Sequence, residues 1–308
     1  MQQRSLSRLR YTSAMLAACA AFGLATPAQA ERIVGLTSTN ALVSFDSAMP
    51  GSGTAAMAIT GLLGADERIL GIDSRVTNDM LYGLGSGGNL YTLNISTGAA
   101  TFVSALMADA ADGTSPFSAL SGTAFGMDFN PTVDRLRITS NTGQNLRINV
   151  DTGAVTTDGM LNGAATGISA SAYTNNDTDP ATGTALFGIS GADGMLYMQA
   201  PPNDGTQVLV GALGLPSSSV AGFDISGTTG LAYAALTNND TFQSGLYRID
   251  LSTGAATALG TFGIGGSTSL APPLLGIAVT AVPEPEAYAM MFAGLAVVGA
   301  FVRRRHRN

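Results

Sequence analysis

The sequence predicts an all-β chain folded as a five-bladed β-propeller whose C-terminal strand closes the first blade, and three observations carry that prediction. The first is a repeated hairpin. Gly245 to Leu259 reads GLYRIDLSTGAATAL; Asn89 to Phe102 (NLYTLNISTGAATF) repeats its strand, turn and following strand, and Asn145 to Thr156 (NLRINVDTGAVT) is a shorter copy. The second is the spacing of the turn glycines Gly53, Gly98, Gly153, Gly205 and Gly254, which fall 45, 55, 52 and 49 residues apart, close to the length of one four-stranded blade. The third is a signature that opens each unit: Leu70-Gly71-Ile72-Asp73, Phe125-Gly126-Met127-Asp128, Thr166-Gly167-Ile168-Ser169, Ala221-Gly222-Phe223-Asp224 and Leu275-Gly276-Ile277-Ala278.

In order along the chain, Arg32 to Thr37 resembles the second strand of the other units, so the first blade lacks an inner strand of its own. Leu274 to Val279 carries an inner-strand signature with nothing after it. Joining these two ends completes the first blade and protects the strand edges that an open sheet would expose. Within each hairpin apolar residues alternate with polar ones and the turn closes on glycine, the pattern of a β-hairpin. The polar insert from Ala108 to Ser121 reads as a loop; the other reading is a sixth blade. Trp and Lys are absent and aromatics make up 6% of the 308 residues, so the core is expected from Leu, Ile, Val, Met and Ala spread over many small strands. The methionines at 49, 57, 80, 107, 127, 160, 195 and 198 are expected to fill core gaps.

Both termini read as addresses. Arg4, Arg8 and Arg10 precede an apolar run from Ala14 to Ala25, and Ala28 and Ala30 fit a small-residue cleavage site, which makes residues 1–30 a secretory signal peptide. Leu16-Ala17-Ala18-Cys19 also resembles a lipoprotein box, but the apolar run continues past it and cleavage after Ala30 is preferred. The only cysteine is then discarded, and no disulfide is available to the mature protein. At the other end Pro283-Glu284-Pro285 leads into an apolar run over residues 287–302 and then Arg303-Arg304-Arg305-His306-Arg307. Sixteen helical residues reach about 24 Å, slightly short of a bilayer core, with the arginines held on the cytoplasmic side.

That tail resembles the PEP-CTERM sorting signal of Gram-negative bacteria. The resemblance implies recognition by an exosortase-type sorting enzyme, a transient membrane anchor at residues 287–302, and delivery to the cell surface or the exopolysaccharide matrix. Residues 283–308 are therefore set aside as the sorting signal, and residues 31–282 as one β-propeller domain. Between Glu31 and Val282, 19 acidic residues and 7 arginines leave a net charge of −12, which argues against nucleic acid as a partner. The single histidine, His306, lies in the arginine tail. The exported domain therefore has no His-based catalytic triad and no ordinary zinc site.

The run from Phe125 to Asn149 (FGMDFNPTVDRLRITSNTGQNLRIN), with Ala172 to Asn176, Pro201 to Gly205 and Gly222 to Ile225, resembles the bacterial domain-of-unknown-function family 4394. The likeness extends over nearly all of residues 33–280. It implies a β-propeller-like secreted domain with no assigned activity.

Two constellations are candidate sites. Asp73, Asp128 and Asp224 each follow their glycine by two residues, so glycine and aspartate share a strand face and three carboxylates converge on the channel rim. Such a set suits Ca²⁺, or an acid/base pair for glycan cleavage; the plainer reading is that each Asp accepts backbone N–H bonds in the adjoining turn. Arg135, Arg137 and Arg147 gather on the third blade, where they suit an acidic sugar or carboxylate. The plainer reading pairs them with Asp128, Asp134 and Asp151. Thr174 to Asp177 and Thr237 to Asp240 (TNND in both) read as Asx turns. No catalytic residue and no cofactor is assigned, Ca²⁺ being the one ion the acids suit. The expected function is that of an exported binding or structural propeller, with polysaccharide or matrix proteins as partners; the alternative is an extracellular glycan-active enzyme using the channel carboxylates.

Overall fold

The computed structural model describes residues 30–177, 179, 181–265 and 272–280. The expected signal peptide with Cys19 and Ala28, the Pro283-Glu284-Pro285 motif and the apolar run 287–302 lie outside them. Among the described residues no helix is long and apolar enough to cross a membrane.

Five antiparallel sheets make five blades. Blade one is ordered, from the axis outward, β22 (Leu274–Thr280), β1 (Arg32–Thr37), β2 (Ala41–Asp46) and β3 (Met57–Ala58). Blade two runs β4 (Ile69–Arg75), β5 (Met80–Gly85), β6 (Asn89–Leu93) and β7 (Ala100–Ala105). Blade three runs β9 (Phe125–Asn130), β10 (Arg135–Ser140), β11 (Asn145–Asn149) and β12 (Ala154–Thr157), with the short β8 (Met107–Ala108) added in parallel at its outer edge. Blade four runs β14 (Ala170–Tyr173), β15 (Leu186–Ser190), β16 (Met195–Gln199) and β17 (Thr206–Ala212), with β13 (Asn162–Gly163) in the matching outer place. Blade five runs β18 (Ser217–Ile225), β19 (Ala232–Asn238), β20 (Ser244–Ile249) and β21 (Ala256–Thr261).

The closure expected from the sequence is present. β22 pairs with β1 from Arg32 opposite Thr280 to Leu36 opposite Gly276, and the inner strands β22, β4, β9, β14 and β18 touch one another in ring order. No strand forms between Ala108 and Phe125, so the insert is a loop and the blades number five.

Convergence of five strands on one axis demands small residues at the narrowest level. A Cβ on Gly126 would lie 2.5 Å from Thr139 Oγ1 and 2.6 Å from the Ser171 amide, and one on Gly222 would lie 2.7 Å from the Gly276 carbonyl carbon. Glycine is there for approach, since neither residue needs a left-handed backbone. The same contacts correct the third signature, Thr166 to Ser169, which belongs to blade four. Strand β14 begins after Ser169, and Ser171 pairs with Gly188 as Gly126 pairs with Thr139. The aspartate position of blade four is thus Tyr173, and that of blade one is Ala278.

Four of the five turn glycines are left-handed, Gly98, Gly153, Gly205 and Gly254, with φ between +72° and +82°. Gly53 is extended instead, at φ −62°, after the 3-10 turn Pro50–Ser52. What unites the five is a joint between blades. Each packs against the backbone of the preceding blade: Gly98 on Ala58, Gly153 on Ala105, Gly205 on Met160, Gly254 on Gly211, and Gly53 on Gly263 across the closure.

Blades stack face to face, so an inner strand is covered on both sides. Every residue of β1 after Arg32 is buried, as are the first five of β2. The polar–apolar alternation read from the hairpins therefore gives way to a gradient with depth, and the outer strands β7 and β21 are largely exposed. The core divides into seams between neighbouring blades. Leu36, Ile69 and Leu93 belong to the seam of blades one and two, Leu84, Phe129 and Leu146 to that of two and three, and Ile189, Phe223 and Leu236 to that of four and five. Met49, Met57, Met80, Met107 and Met160 are exposed and do not fill the core; Met127 is buried.

Candidate functional site

Asp73, Asp128 and Asp224 meet on the axis. One oxygen from each lies within 4.8 Å of the others, and the residues are 3%, 1% and 2% exposed. Strand geometry explains the meeting: each stands two residues past a member of the glycine belt, on the same face and one layer further along the channel. Asp73 Oδ2 accepts the Phe129 N–H at 2.7 Å, and Asp224 Oδ2 accepts the Val279 N–H at 2.5 Å, so each reaches the inner strand of the next blade. Asp224 Oδ1 also takes its neighbour's amide, Ile225 N–H, at 2.6 Å. Asp128 differs. The Tyr173 amide approaches it without hydrogen-bond geometry, and both of its oxygens lack a partner.

Desolvation and mutual repulsion act together on this set. Burial, then the Asp224 charge, push Asp73 well above the usual carboxylate range. Burial and both neighbouring aspartates do the same to Asp128. Burial pushes Asp224 up to about 7 against the pull of its two backbone donors. No arginine hydrogen-bonds any of the three among the described residues, and the further charge that raises Asp224 is another acid, Glu31. The neighbouring layer of the channel, lined by Gly71, Gly126, Ser171, Gly222 and Gly276, leaves a void of about 10 Å³, room for about one water.

The arginines gather on the third blade, but with other partners than the sequence suggested. Arg137 is 1% exposed; its guanidinium donates to Tyr173 Oη at 3.2 Å, Asn145 Oδ1 at 2.8 Å, Asp158 Oδ2 at 2.5 Å and Asn203 Oδ1 at 2.8 Å. Although Arg137 sits opposite Asp128 in the strand register, it turns away from it. Arg147 forks onto Asp158 at 2.7 and 2.9 Å, and that bond raises its pKa. Arg135 is exposed and donates only to the carbonyls of Val133 and Asp134. Asp134 and Asp151, named from the sequence as partners, are instead held by Arg75. The three arginines with Asn130, Tyr173, Pro202 and Asn203 line a cavity of about 280 Å³.

A family model described as a domain of unknown function, DUF4394, matches residues 41–271. The chain belongs to the DUF4394 family. A second model, the PEP-CTERM protein-sorting motif, matches residues 281–305 and marks this DUF4394 chain for export and processing by an exosortase. No curated protein matches it. Among solved structures it is similar to a putative 6-phosphogluconolactonase from Bacteroides uniformis, at 10% identity and a TM-score of 0.42 over 76% of this chain and 82% of that one. It is also similar to a protein of unknown function from Bacteroides thetaiotaomicron, at 14% identity and a TM-score of 0.45 over 74% and 57%. The hydrazine synthase of Kuenenia stuttgartiensis matches at 11% identity and a TM-score of 0.36 over 65% of this chain, which spans 49% of that one's length.

Three polar joints of the DUF4394 propeller escaped the sequence reading. Arg75, at the end of β4, forks onto both Asp134 and Asp151 of blade three at 2.6 to 2.9 Å and lies over the Tyr82 ring. Asp158 ties Arg137 to Arg147, while Asn203 and Tyr173 carry the network into blade four. Glu31, buried just before β1, accepts from Ser226 and Thr229 of blade five. The signal for all three was a charged residue beside a strand end, which is too common to single them out. The second TNND segment does form an Asx turn, Asn238 Oδ1 accepting the Asp240 and Thr241 amides.

Proposed function

We propose that this propeller is an exported protein of the cell surface or extracellular matrix of a Gram-negative bacterium, and that it binds rather than catalyses. In this reading residues 1–30 are removed as a signal peptide. Residues 31–282 form the exported domain, and residues 283–308 serve the exosortase, with 287–302 as a temporary membrane span. The arginine cavity then faces an acidic sugar or other carboxylate of a polysaccharide or matrix protein. Arg135 and the outward part of Arg147 supply the contact, and Arg137 with Asp158 fixes their backing.

The observation that carries the non-catalytic reading is the sealing of the axial acids. Glycan cleavage requires two carboxyl groups about 5 to 9.5 Å apart flanking a sugar in an open site, whereas these three are crowded together and buried beside a void of about 10 Å³. The test is a glycan array probed with the full chain, alongside a reducing-end assay on any glycan bound. Retention of acidic glycans, weakened at least tenfold in Arg135→Ala/Arg147→Ala and with no reducing ends released, supports binding. Release of reducing ends that ceases in Asp128→Asn restores the enzymatic alternative, and binding to nothing leaves a structural matrix role.

A further inference from the structure

Three acids crowd one point on the axis, and among the described residues no basic side chain hydrogen-bonds them. The chain has no lysine, and among the described hydrogen bonds no arginine donates to Asp73, Asp128 or Asp224. A buried carboxylate is normally paired, hydrogen-bonded or bound to a metal. Asp73 and Asp224 meet that rule in part through backbone amides of the next blade. Asp128, 99% buried, meets it least: neither of its oxygens has a hydrogen-bond partner, and one of them lies within 4.8 Å of the other two carboxylates. An Asp retained only to cap a turn would accept a well-formed bond, and neither oxygen of this one does, although the Tyr173 amide approaches.

We propose that Asp73, Asp128 and Asp224 together bind one divalent cation, calcium, on the propeller axis. The spacing is close to what the ion needs: oxygens within 4.8 Å of one another leave a central ion no more than about 2.8 Å from each, a few tenths of an ångström beyond the 2.3 to 2.6 Å of a calcium–oxygen bond, which a small carboxylate rotation closes. The backbone donors on Asp73 and Asp224 leave lone pairs on each oxygen and fix the carboxylate orientation, the part that second-layer hydrogen bonds play at metal sites. Donor chemistry narrows the ion. The ligands are all hard oxygens, and the 31–282 segment holds neither His nor Cys, which disfavours zinc and copper. Magnesium keeps several of its waters in a strict octahedron, and the adjoining void has room for about one. Calcium takes six to eight oxygens in flexible geometry and accepts bidentate carboxylates, so three aspartates and one water can fill its shell. Because the ligands come from β4, β9 and β18, the ion ties blades two, three and five at the one place where all blades meet.

The experiment uses the full chain, stripped with a chelator and titrated with CaCl₂ or MgCl₂ by calorimetry and by thermal melting. The expected result is about one calcium per chain and a melting temperature raised by roughly 5 to 10 °C at a hundredfold excess over the Kd, with magnesium weaker by at least tenfold. In Asp128→Asn the calcium response disappears, while the metal-free melting temperature equals or exceeds that of the stripped parent, because one buried charge has gone. That second reading separates loss of the site from failure to fold. Asp177→Asn/Asp179→Asn, altered at an exposed turn, keeps the full response. No calcium-induced shift in the parent overturns the site; a response that survives in Asp128→Asn, or is lost in the turn variant, relocates it and also overturns it. Tighter binding of magnesium than calcium overturns the choice of ion.

Discussion

Arg75 illustrates how one buried side chain joins two blades at the margin of the core. Its guanidinium satisfies two carboxylates of the next blade and the Tyr82 hydroxyl, and the two aspartates raise its pKa further. Arg75→Leu is expected to cost about 2 kcal/mol, the scale of hydrogen bonds to charged groups, read as a lower urea midpoint with an unchanged slope. The same pair predicts an acid limb. Arg75 holds Asp151 below its ordinary value, so the stabilisation is complete above the unfolded aspartate pKa of about 4 and fades as pH falls through the lower folded value. Urea unfolding between pH 5 and pH 2 should show a shallower loss in Arg75→Leu than in the parent; an identical slope removes Asp151 from the account. Neither Arg75 nor Asp158 was legible as a partner in the sequence. Pairing depends on which blade faces make a joint and on which rotamers reach across, and residue order carries no such information.

At the scale of the element, the inner strand is governed by how close its neighbours come. Gly126→Ala places a methyl against Thr139, Ser171 and the backbone of β14, and overpacking of this kind costs about 1 to 3 kcal/mol. Gly113→Ala, in the loop of the insert with nothing within 4 Å of the new atom, should change stability by no more than about 0.5 kcal/mol. Denaturant titration of both variants checks the pair. Equal effects would mean the belt does not limit the ring. Gly98, Gly153 and Gly254 were readable because a repeated STGAAT or DTGAVT turn announces itself. The packing of the five turn glycines against the preceding blade was not readable, since it pairs residues 40 to 48 positions apart, and 210 apart at the closure.

The whole molecule depends on one long-range pairing, β22 with β1. Removing residues 272–308 leaves β1 as an unpaired inner edge and deletes one fifth of the ring's innermost layer, along with the Val279 amide that holds Asp224. The expected outcome is an aggregating chain whose amides on β1 and β2 lose protection from hydrogen exchange. A truncated chain that stays monomeric by size-exclusion chromatography and keeps that protection would show that closure is dispensable. Closure of this span also raises contact order, so refolding should be slow, on the millisecond-to-second scale typical of all-β topologies.

Repetition made the architecture visible in the sequence alone: five turn glycines, four correctly placed inner signatures and two orphan ends pointed to five blades and to how the first is completed. Sequence also placed three aspartates on one strand face, because a period of two is a local property. Only the tertiary structure decided that those aspartates meet, that the fourth blade offers Tyr173 in their place, and that Asp128 alone of the three makes no hydrogen bond. Distances across the axis arise from how five twisted sheets pack on one another, and local pattern does not encode that packing.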